Sequence, residues 1–148
     1  MTNFNEALAG VRVLDMSRVL AGPWAGQLLA DLGADVVKVE RPNTGDDTRA
    51  WGPPWLADAQ GRSSGQSAYY LSANRNKRSI TVDIAHPEGQ QLIRRLASDA
   101  DVVIENFKVD GLRQYELDYK SIRDQSAPRL LFRYRFWPDR PVGITRGI

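Results

Sequence analysis

The sequence predicts an α/β fold in which helices flank an open parallel sheet. Short apolar runs typical of strands alternate with helical patterns, in the order strand, helix, strand, twice along the 148 residues. The connections within each unit are short, which favours right-handed crossovers between parallel strands. Three of the runs are apolar along most of their length, as expected of strands buried on both faces.

The first strand–helix–strand unit lies near the start of the chain. Residues 11–16 (VRVLDM) and 35–40 (DVVKVE) are predicted strands, and residues 24–34 between them place apolar side chains at helical spacing. Pro23 stands where a first helical turn tolerates proline, and Gly33 stands where a helix commonly ends. The pattern predicts a βαβ unit.

The second unit follows a long segment, residues 42–79, that is rich in Gly, Pro, Asn and Ser and predicts a loop rather than a core element. Residues 79–84 (SITVDI) and 101–107 (DVVIENF) are predicted strands, and residues 86–100 between them form a predicted helix. A further short helix is expected to stop before Pro128, because the residue before a proline avoids helical geometry.

Composition excludes several classes of site. The formal charge is +2, and six of the basic residues lie in or just before the C-terminal tail, so no nucleic-acid surface is predicted. The chain has no cysteine and one histidine, which exclude thiolate chemistry and a histidine-rich metal site. It starts without a signal-peptide pattern and contains no apolar run long enough to span a bilayer, so we expect a cytoplasmic protein that does not enter the membrane.

The segment LAGPWAG joins the first strand to its helix. Gly22 allows a tight turn, and the free N–H groups at the helix start can face an anion, although a packed turn explains the pattern equally well. Glu40 ends the second strand, where dinucleotide-binding folds keep a ribose-binding acid. The glycines are spaced G-x-x-x-G rather than G-x-G-x-x-G, which argues against a nicotinamide or flavin site.

Other polar residues follow the predicted strands, where open α/β sheets bind ligands. Arg41 and the basic residues of NRNKRS (residues 74–79) are candidates for phosphate binding or are solvated surface residues. Asn106 and Phe107 end a buried strand and could bind a ligand amide and stack on a ring, or could cap a turn and close the core. Spacing alone supports only a phosphate-bearing ligand.

Three further residues are interpreted as structural. Asp46 and Asp47 in the segment GDDT favour N-capping or solvation over acid–base chemistry. His86, directly before a proline, is interpreted as a helix-start residue.

Four segments carry a resemblance to a known family: LAGVRVLDMSRVLAGPWAGQLLADLGADVVKVERP, GDDTRAWGPP, YYLSANRNKRSITVDI and DVVIENFKVDGLRQYELDY. From about Leu8 to Leu130 they resemble the start of the class III coenzyme A transferases. The resemblance implies a Rossmann-like large domain, with residues 1–130 as its N-terminal part, and an interlocked homodimer. It also implies acyl-CoA and carboxylic acid substrates, coenzyme A as a substrate, and no metal. The forms GDDTRAWGPP and NRNKRSI look most like members that move CoA between dicarboxylic acids.

The resemblance also implies binding residues. Carried over by position, the expected CoA contacts are Leu20, Ala21, Arg41, Asn106, Phe107 and Lys108. Residues 82–85 are further candidates near the adenine. Asp110 stands where members of the family commonly have glycine, and we expect it to disturb the local turn.

Family chemistry uses an aspartate that attacks the acyl-CoA carbonyl and then forms an aspartyl thioester. That aspartate lies beyond the position of Leu130, and no residue here matches it, so no catalytic residue is assigned and the 148-residue chain is expected to be inactive. We expect weak CoA binding without turnover. The alternatives are a non-catalytic nucleotide-binding or interaction module and a fragment of the family's acyl-CoA racemase branch.

Residues 131–148 alternate arginine with aromatic residues and do not resemble the family. Codons that encode the residues from Phe132 onward can also encode the family's glycine-rich loop when they are read in a shifted frame. We therefore expect residues 131–148 to be a frameshifted tail of a truncated transferase.

Overall fold

The computed structural model describes residues 6–125 and 130–133. In chain order, its elements are β1 (Arg12–Asp15), α1 (Ala21–Asp31), β2 (Asp35–Glu40), a 3-10 turn (Asp47–Ala50), β3 (Trp55–Ala57), β4 (Ser63–Ser67), α2 (Ala68–Ser72), β5 (Arg78–Thr81), α3 (Pro87–Asp99), β6 (Val102–Glu105), a second 3-10 turn (Arg113–Tyr115), α4 (Tyr119–Gln125) and β7 (Leu130–Arg133). Within this part of the chain, no helix is long and apolar enough to cross a membrane.

Five of the strands form one sheet in the order β5-β2-β1-β6-β7. Every neighbouring pair is parallel, with Val13 of β1 opposite Val36 of β2 on one side and Val102 of β6 on the other. The predicted open parallel sheet with flanking helices is confirmed.

Helices cover both faces of the sheet. Successive residues of a strand point to opposite faces, so Val13 packs in one core cluster with Ala30 of α1. Leu14 packs in the other cluster with Ile93 of α3 and Ile122 of α4. Burying each of these larger aliphatic side chains stabilises the fold by about 1.5–3 kcal/mol. The result is a three-layer α/β arrangement.

The helix boundaries follow local sequence signals. α1 begins at Ala21, three residues before the predicted start, and keeps Pro23 in its first turn. Gly33 follows its end with a φ of +97°, a conformation that favours glycine. α3 begins at Pro87, and His86 caps it by accepting the N–H of Glu88 on Nδ1 at 3.4 Å. The helix-start interpretation of His86 is confirmed.

The strand order reverses at β1. The chain moves outward from β1 through β2 to β5, and then α3 carries it back across the sheet to β6, which lies on the other side of β1. The carboxyl ends of β1 and β6 therefore diverge into separate loops. In open α/β sheets this switch point is where ligands bind.

Residues 42–79 are not a plain loop, and that prediction was wrong in part. They contain a 3-10 turn, the antiparallel pair β3–β4 and the short helix α2. Most residues of β3 and β4 are exposed, so the pair stays outside the core as expected.

The sheet reaches into the segment predicted to be a shifted tail. β7 continues from Leu130 to Arg133, with Leu131 opposite Val103 and Phe132 opposite Ile104 of β6. Residues 134–148 lie outside the described part of the chain. The expectation of a shifted reading frame stays a prediction.

Candidate functional site

A cavity of about 350 Å³ lies over the carboxyl ends of the central strands. Its lining comes from four segments that are distant in sequence: residues 16–18 after β1, 39–46 at the end of β2, 82–85 after β5 and 107–115 after β6. The sheet topology brings these segments together, because parallel strands end at the same edge.

One wall of the cavity is apolar. Met16, Val39 and Val82 are buried at the ends of three neighbouring strands, and Ile84 and Phe107 are half-buried beside them. Apolar side chains with an aromatic ring suit a flat, weakly polar group such as a nucleobase.

Charged groups line the cavity beside this wall. The guanidinium of Arg18 lies 4.9 Å from the centre of the Phe107 ring, within the range of a cation–π contact. Arg41 pairs with Asp47, and its side chain is 50% exposed, so it can also reach a ligand. The carboxylate of Asp83 accepts the N–H of Ala85 at 2.9 Å.

The loop after β1 is held by side chains from other elements. Asn106, after β6, accepts the N–H of Arg18 on Oδ1 at 2.9 Å and donates from Nδ2 to the carbonyl of Arg18 at 2.7 Å. Val19 has a φ of +71°, which is strained for a β-branched residue, and its N–H donates to the carboxylate of Asp46 at 3.2 Å. Such strain persists only where the surroundings fix the backbone.

A buried ion pair lies beneath this loop. Nζ of Lys38 is 3.0 Å from Oδ2 of Asp46 and donates to the carbonyl of Ser17 at 2.8 Å. Burial raises the pKa of Asp46, but the charge of Lys38 and the hydrogen bonds from Thr48 outweigh it and lower that pKa. Asp46 also caps the first 3-10 turn by accepting the N–H of Thr48 at 3.0 Å, which confirms the N-capping interpretation.

A second buried pair holds the start of α1. Nζ of Lys77 is 2.8 Å from Oδ2 of Asp15 and donates to the carbonyl of Pro23 at 2.6 Å and to Oδ1 of Asn74 at 3.0 Å. Burial lowers the pKa of Lys77, and the neighbouring Asp15 opposes that effect. Lys77 therefore ties β1, α1 and the segment before β5 together.

In the NRNKRS segment the surface interpretation holds for Arg75 and Arg78, whose side chains are 61% and 68% exposed, whereas Lys77 is buried. The phosphate-binding interpretation stays a prediction. Arg75 pairs with Asp31 of α1 at 2.6 Å, and Arg78 pairs with Asp35 of β2 at 2.6 Å. With Lys77 buried, all three cations have carboxylate partners within the fold.

Glu40, at the end of β2, is also engaged. It accepts two hydrogen bonds from Arg49, at 2.6 and 2.7 Å, one from Tyr70 at 2.8 Å, and others from Ser79 and the N–H of Asp46. Burial raises its pKa, but these hydrogen bonds outweigh burial and lower the pKa of Glu40 to about 2. Both carboxylate oxygens are occupied, which disfavours the ribose-binding role considered for this position.

The structure brings two of the six predicted CoA contacts together in the cavity. Arg41 and Phe107 line it, as do all four residues of the weaker candidate segment 82–85. Leu20 and Ala21 lie at the start of α1, outside the lining.

The other two predicted contacts also lie outside the lining. The amide of Asn106 is engaged with Arg18, and Lys108 is exposed. Asp110 adopts a φ of +61°, and the turn forms, with the N–H of Gly111 donating to the carbonyl of Lys108 at 2.9 Å. The CoA-binding roles of the six residues stay predictions.

Three important residues were missed from the sequence. Arg18 has a signal, since it lies just beyond the end of a buried strand, where ligand-binding residues concentrate. Lys38 has a weaker one, a lysine between valines in a strand predicted to be buried. Asp15, the third, has no signal in the sequence, because its partner Lys77 is 62 residues away.

Comparison with known proteins identifies related sequences. The family model described as CoA-transferase family III matches residues 8–133. A succinate–glutarate CoA-transferase of Agrobacterium fabrum is 58% identical over 132 residues, which are 89% of this chain and 32% of that protein. A human succinyl-CoA:glutarate CoA-transferase is 49% identical over 127 residues, 86% of this chain and 27% of that protein.

Solved structures agree with the fold. A CAIB/BAIF family protein from Brucella suis superposes with a TM-score of 0.77 at 53% identity, covering 86% of this chain and 32% of that one. A hypothetical protein from Mycobacterium tuberculosis has a TM-score of 0.77 at 36% identity, covering 97% of this chain and 38% of that one. The chain spans about a third of the length of the curated relatives it matches.

Proposed function

The chain belongs to CoA-transferase family III, and from this premise we propose that its cavity binds the nucleotide end of coenzyme A. We further propose that the whole protein transfers CoA from an acyl-CoA to a carboxylic acid. The related enzymes from Agrobacterium fabrum and human are named for succinate and glutarate, so dicarboxylic acids are the proposed substrates.

One observation carries the proposal: the cavity at the switch point combines an apolar wall with arginines. CoA has matching parts, an adenine ring joined to several phosphates. We assign Phe107 and residues 82–85 to the adenine and Arg41 to a phosphate. A guanidinium that is half exposed can bind a phosphate without giving up a buried partner.

The remaining predicted contacts fit the same path. We propose that Leu20 and Ala21 contact CoA at the start of α1, where main-chain N–H groups without helical partners are suited to an anion. We assign Lys108, which is exposed beyond the end of β6, to the pantetheine arm. Asn106 would act through its hold on Arg18, with one further N–H free to meet the ligand.

The proposed reaction proceeds through covalent intermediates. A carboxylate attacks the thioester carbonyl, the C–S bond breaks, and CoA leaves as a thiolate with formation of an acid anhydride. The thiolate then attacks the enzyme's side of the anhydride, which releases the donor acid and leaves an enzyme thioester. The acceptor acid reverses these steps. Asp46 is unsuited to this nucleophilic role, because it is buried and paired with Lys38.

The binding half of the proposal is tested by titration calorimetry of the 148-residue chain with CoA and with NAD. We expect binding of CoA and weaker or no binding of NAD. A preference for NAD, or no binding of either, would contradict the proposal and favour a different nucleotide-binding or interaction module.

The expected lack of turnover in the 148-residue chain itself is tested separately, by incubating the chain with succinyl-CoA and glutarate. We expect no glutaryl-CoA and no hydroxylamine-sensitive adduct, because no residue matches the family's aspartate. Formation of either product would show that an acid within this chain acts as the nucleophile. An interlocked homodimer and a cytoplasmic location stay predictions from the family resemblance and the sequence.

A further inference from the structure

Arg18 is a cation on the cavity wall that the family resemblance does not assign. It lies in the loop after β1, three residues beyond Asp15, is half-buried, and contributes to the cavity lining. Among the described residues, no carboxylate lies within ion-pair distance of its guanidinium, whereas Arg41 on the same cavity is paired with Asp47. Arg18 is therefore available to an anion that enters the cavity.

The other charges that line the cavity are largely satisfied. Glu40 is paired with Arg49, and Asp46 is paired with Lys38. The carboxylate of Asp83 accepts a main-chain N–H. Asp83 follows β5, and β2 lies between β5 and β1, so Asp83 is not at the strand end that carries Arg18. Near β1 and β6 the cavity thus presents an uncompensated positive charge at Arg18.

The position of Arg18 is fixed before any ligand arrives. Asn106 holds both its main-chain N–H and its carbonyl, and the Phe107 ring lies 4.9 Å from its guanidinium carbon. Stacking on an aromatic face leaves the edge N–H groups of a guanidinium free to bind an oxyanion. Preorganisation of this kind reduces the entropy lost on binding.

We propose that Arg18 is a further ligand-binding residue, which binds a phosphate group of the nucleotide in the cavity. This inference rests on the proposed function, since it assumes that the cavity holds a nucleotide. The 3′-phosphate and the diphosphate of CoA share the required chemistry. A carboxylate on the acyl group is excluded as the source by using CoA itself, which carries none.

The test measures affinities of the 148-residue chain for CoA, dephospho-CoA and adenosine, in wild type, Arg18→Met and Arg18→Lys. The Met variant retains much of the apolar stem without the charge. We expect it to bind CoA at least about tenfold more weakly and adenosine with unchanged affinity, while Lys recovers part of the loss. Arg62→Met, at an exposed position by the β3–β4 pair, is the matched control and should bind CoA as wild type does.

Dephospho-CoA identifies the phosphate. A loss that persists with dephospho-CoA supports contact with the diphosphate, and a loss confined to CoA supports contact with the 3′-phosphate. If Arg18→Met binds CoA with wild-type affinity, the inference is overturned and the proposed function stands. The same holds if Arg18→Met loses as much affinity for adenosine as for CoA. Failure of the wild-type chain to bind CoA would overturn both.

A measurement on the wild-type chain covers the case in which Arg18→Met does not fold. The Nε–H resonance of Arg18, assigned by its absence from the Arg18→Lys spectrum, is followed by NMR during titration. We expect a larger shift with CoA than with adenosine, and equal shifts with the two ligands would overturn the inference. No shift at saturating CoA would overturn the inference.

Discussion

The side-chain amide of Asn106 forms hydrogen bonds with both main-chain polar groups of Arg18, at 2.9 and 2.7 Å. Asn106 follows β6 and Arg18 follows β1, so this contact bridges the two strands on either side of the switch point. The N–H of Met16 still donates to the carbonyl of Ile104 in β6, and beyond that point the side chain of Asn106 holds the loop after β1 against β6.

Replacing Asn106 by alanine is expected to loosen this bridge. The change removes two hydrogen bonds and leaves the N–H and carbonyl of Arg18 without these partners, which should lower the free energy of unfolding by about 1–3 kcal/mol. CoA affinity should fall as well, because Arg18 and Phe107 lose their relative placement. Urea unfolding and calorimetry measure the two effects. If the free energy of unfolding and the CoA affinity are both unchanged, the hydrogen bonds of Asn106 contribute neither to stability nor to binding.

Removal of Lys38 should be among the most destabilising single changes. In Lys38→Met, Asp46 remains buried without its cation, which costs about 3–5 kcal/mol of unfolding free energy. The double variant Lys38→Met/Asp46→Asn removes both charges and should recover part of that loss. Urea unfolding of the two single variants and the double variant gives the coupling energy. If the double variant loses the sum of the two single losses in unfolding free energy, Lys38 and Asp46 do not act as a coupled pair.

Stability should decrease in acid partly because of Glu40. Its pKa is about 2 in the folded chain and 4.5 in the unfolded one, so the folded state favours the ionised form. The resulting stabilisation, up to about 3 kcal/mol, is complete above pH 4.5 and is lost as the pH falls towards 2.

The variant Glu40→Gln isolates this contribution. Its free energy of unfolding should be lower than that of wild type at neutral pH, and the difference should narrow between pH 5 and pH 2. Chemical denaturation at a series of pH values checks the slope. A difference that is constant across this range would assign the acid sensitivity to other carboxylates.

Gly89 lies in α3, outside the cavity lining, but the substitution Gly89→Ala should displace the lining residues 82–85. A Cβ at this position would lie 1.9 Å from the main-chain carbonyl oxygen of Asp83, so residues 82–85 must move. We expect a loss of about 1–3 kcal/mol in unfolding free energy together with weaker CoA binding. The control Gln91→Ala changes an exposed residue of the same helix and should leave both unchanged. Wild-type CoA affinity in Gly89→Ala would argue against a role for residues 82–85.

The regular elements of the sheet could be predicted because their signals are local. β2 has the predicted bounds, since its apolar run is delimited by a glycine turn before it and a proline after it. α3 starts at Pro87, one residue inside the predicted range of 86–100, and the cap by His86 follows from the same local pattern. Strand positions then implied where the cavity lies.

The parts that could not be predicted depend on contacts between distant residues. β4 has the sequence SSGQS, which lacks both the alternation and the β-branched residues that mark a strand. The ion pairs of the basic segment before β5 had no sequence signal, because Asp31, Asp15 and Asp35 lie 44, 62 and 43 residues from the cations that they meet. No spacing rule connects residues so far apart in the chain.

The crossover from β5 to β6 also sets an order of events during synthesis. Strands β1, β2 and β5 can assemble from the first 81 residues, but Phe107 and Tyr115 are translated later. A nascent chain whose residues 107–115 are still inside the ribosome presents only three of the four segments that line the cavity. Completing the cavity requires β6 to pair with β1, with Val102 opposite Val13, and pairing of strands so far apart in sequence is a slow kind of step in folding. Under the proposed function, CoA would stabilise only chains in which this pairing is complete.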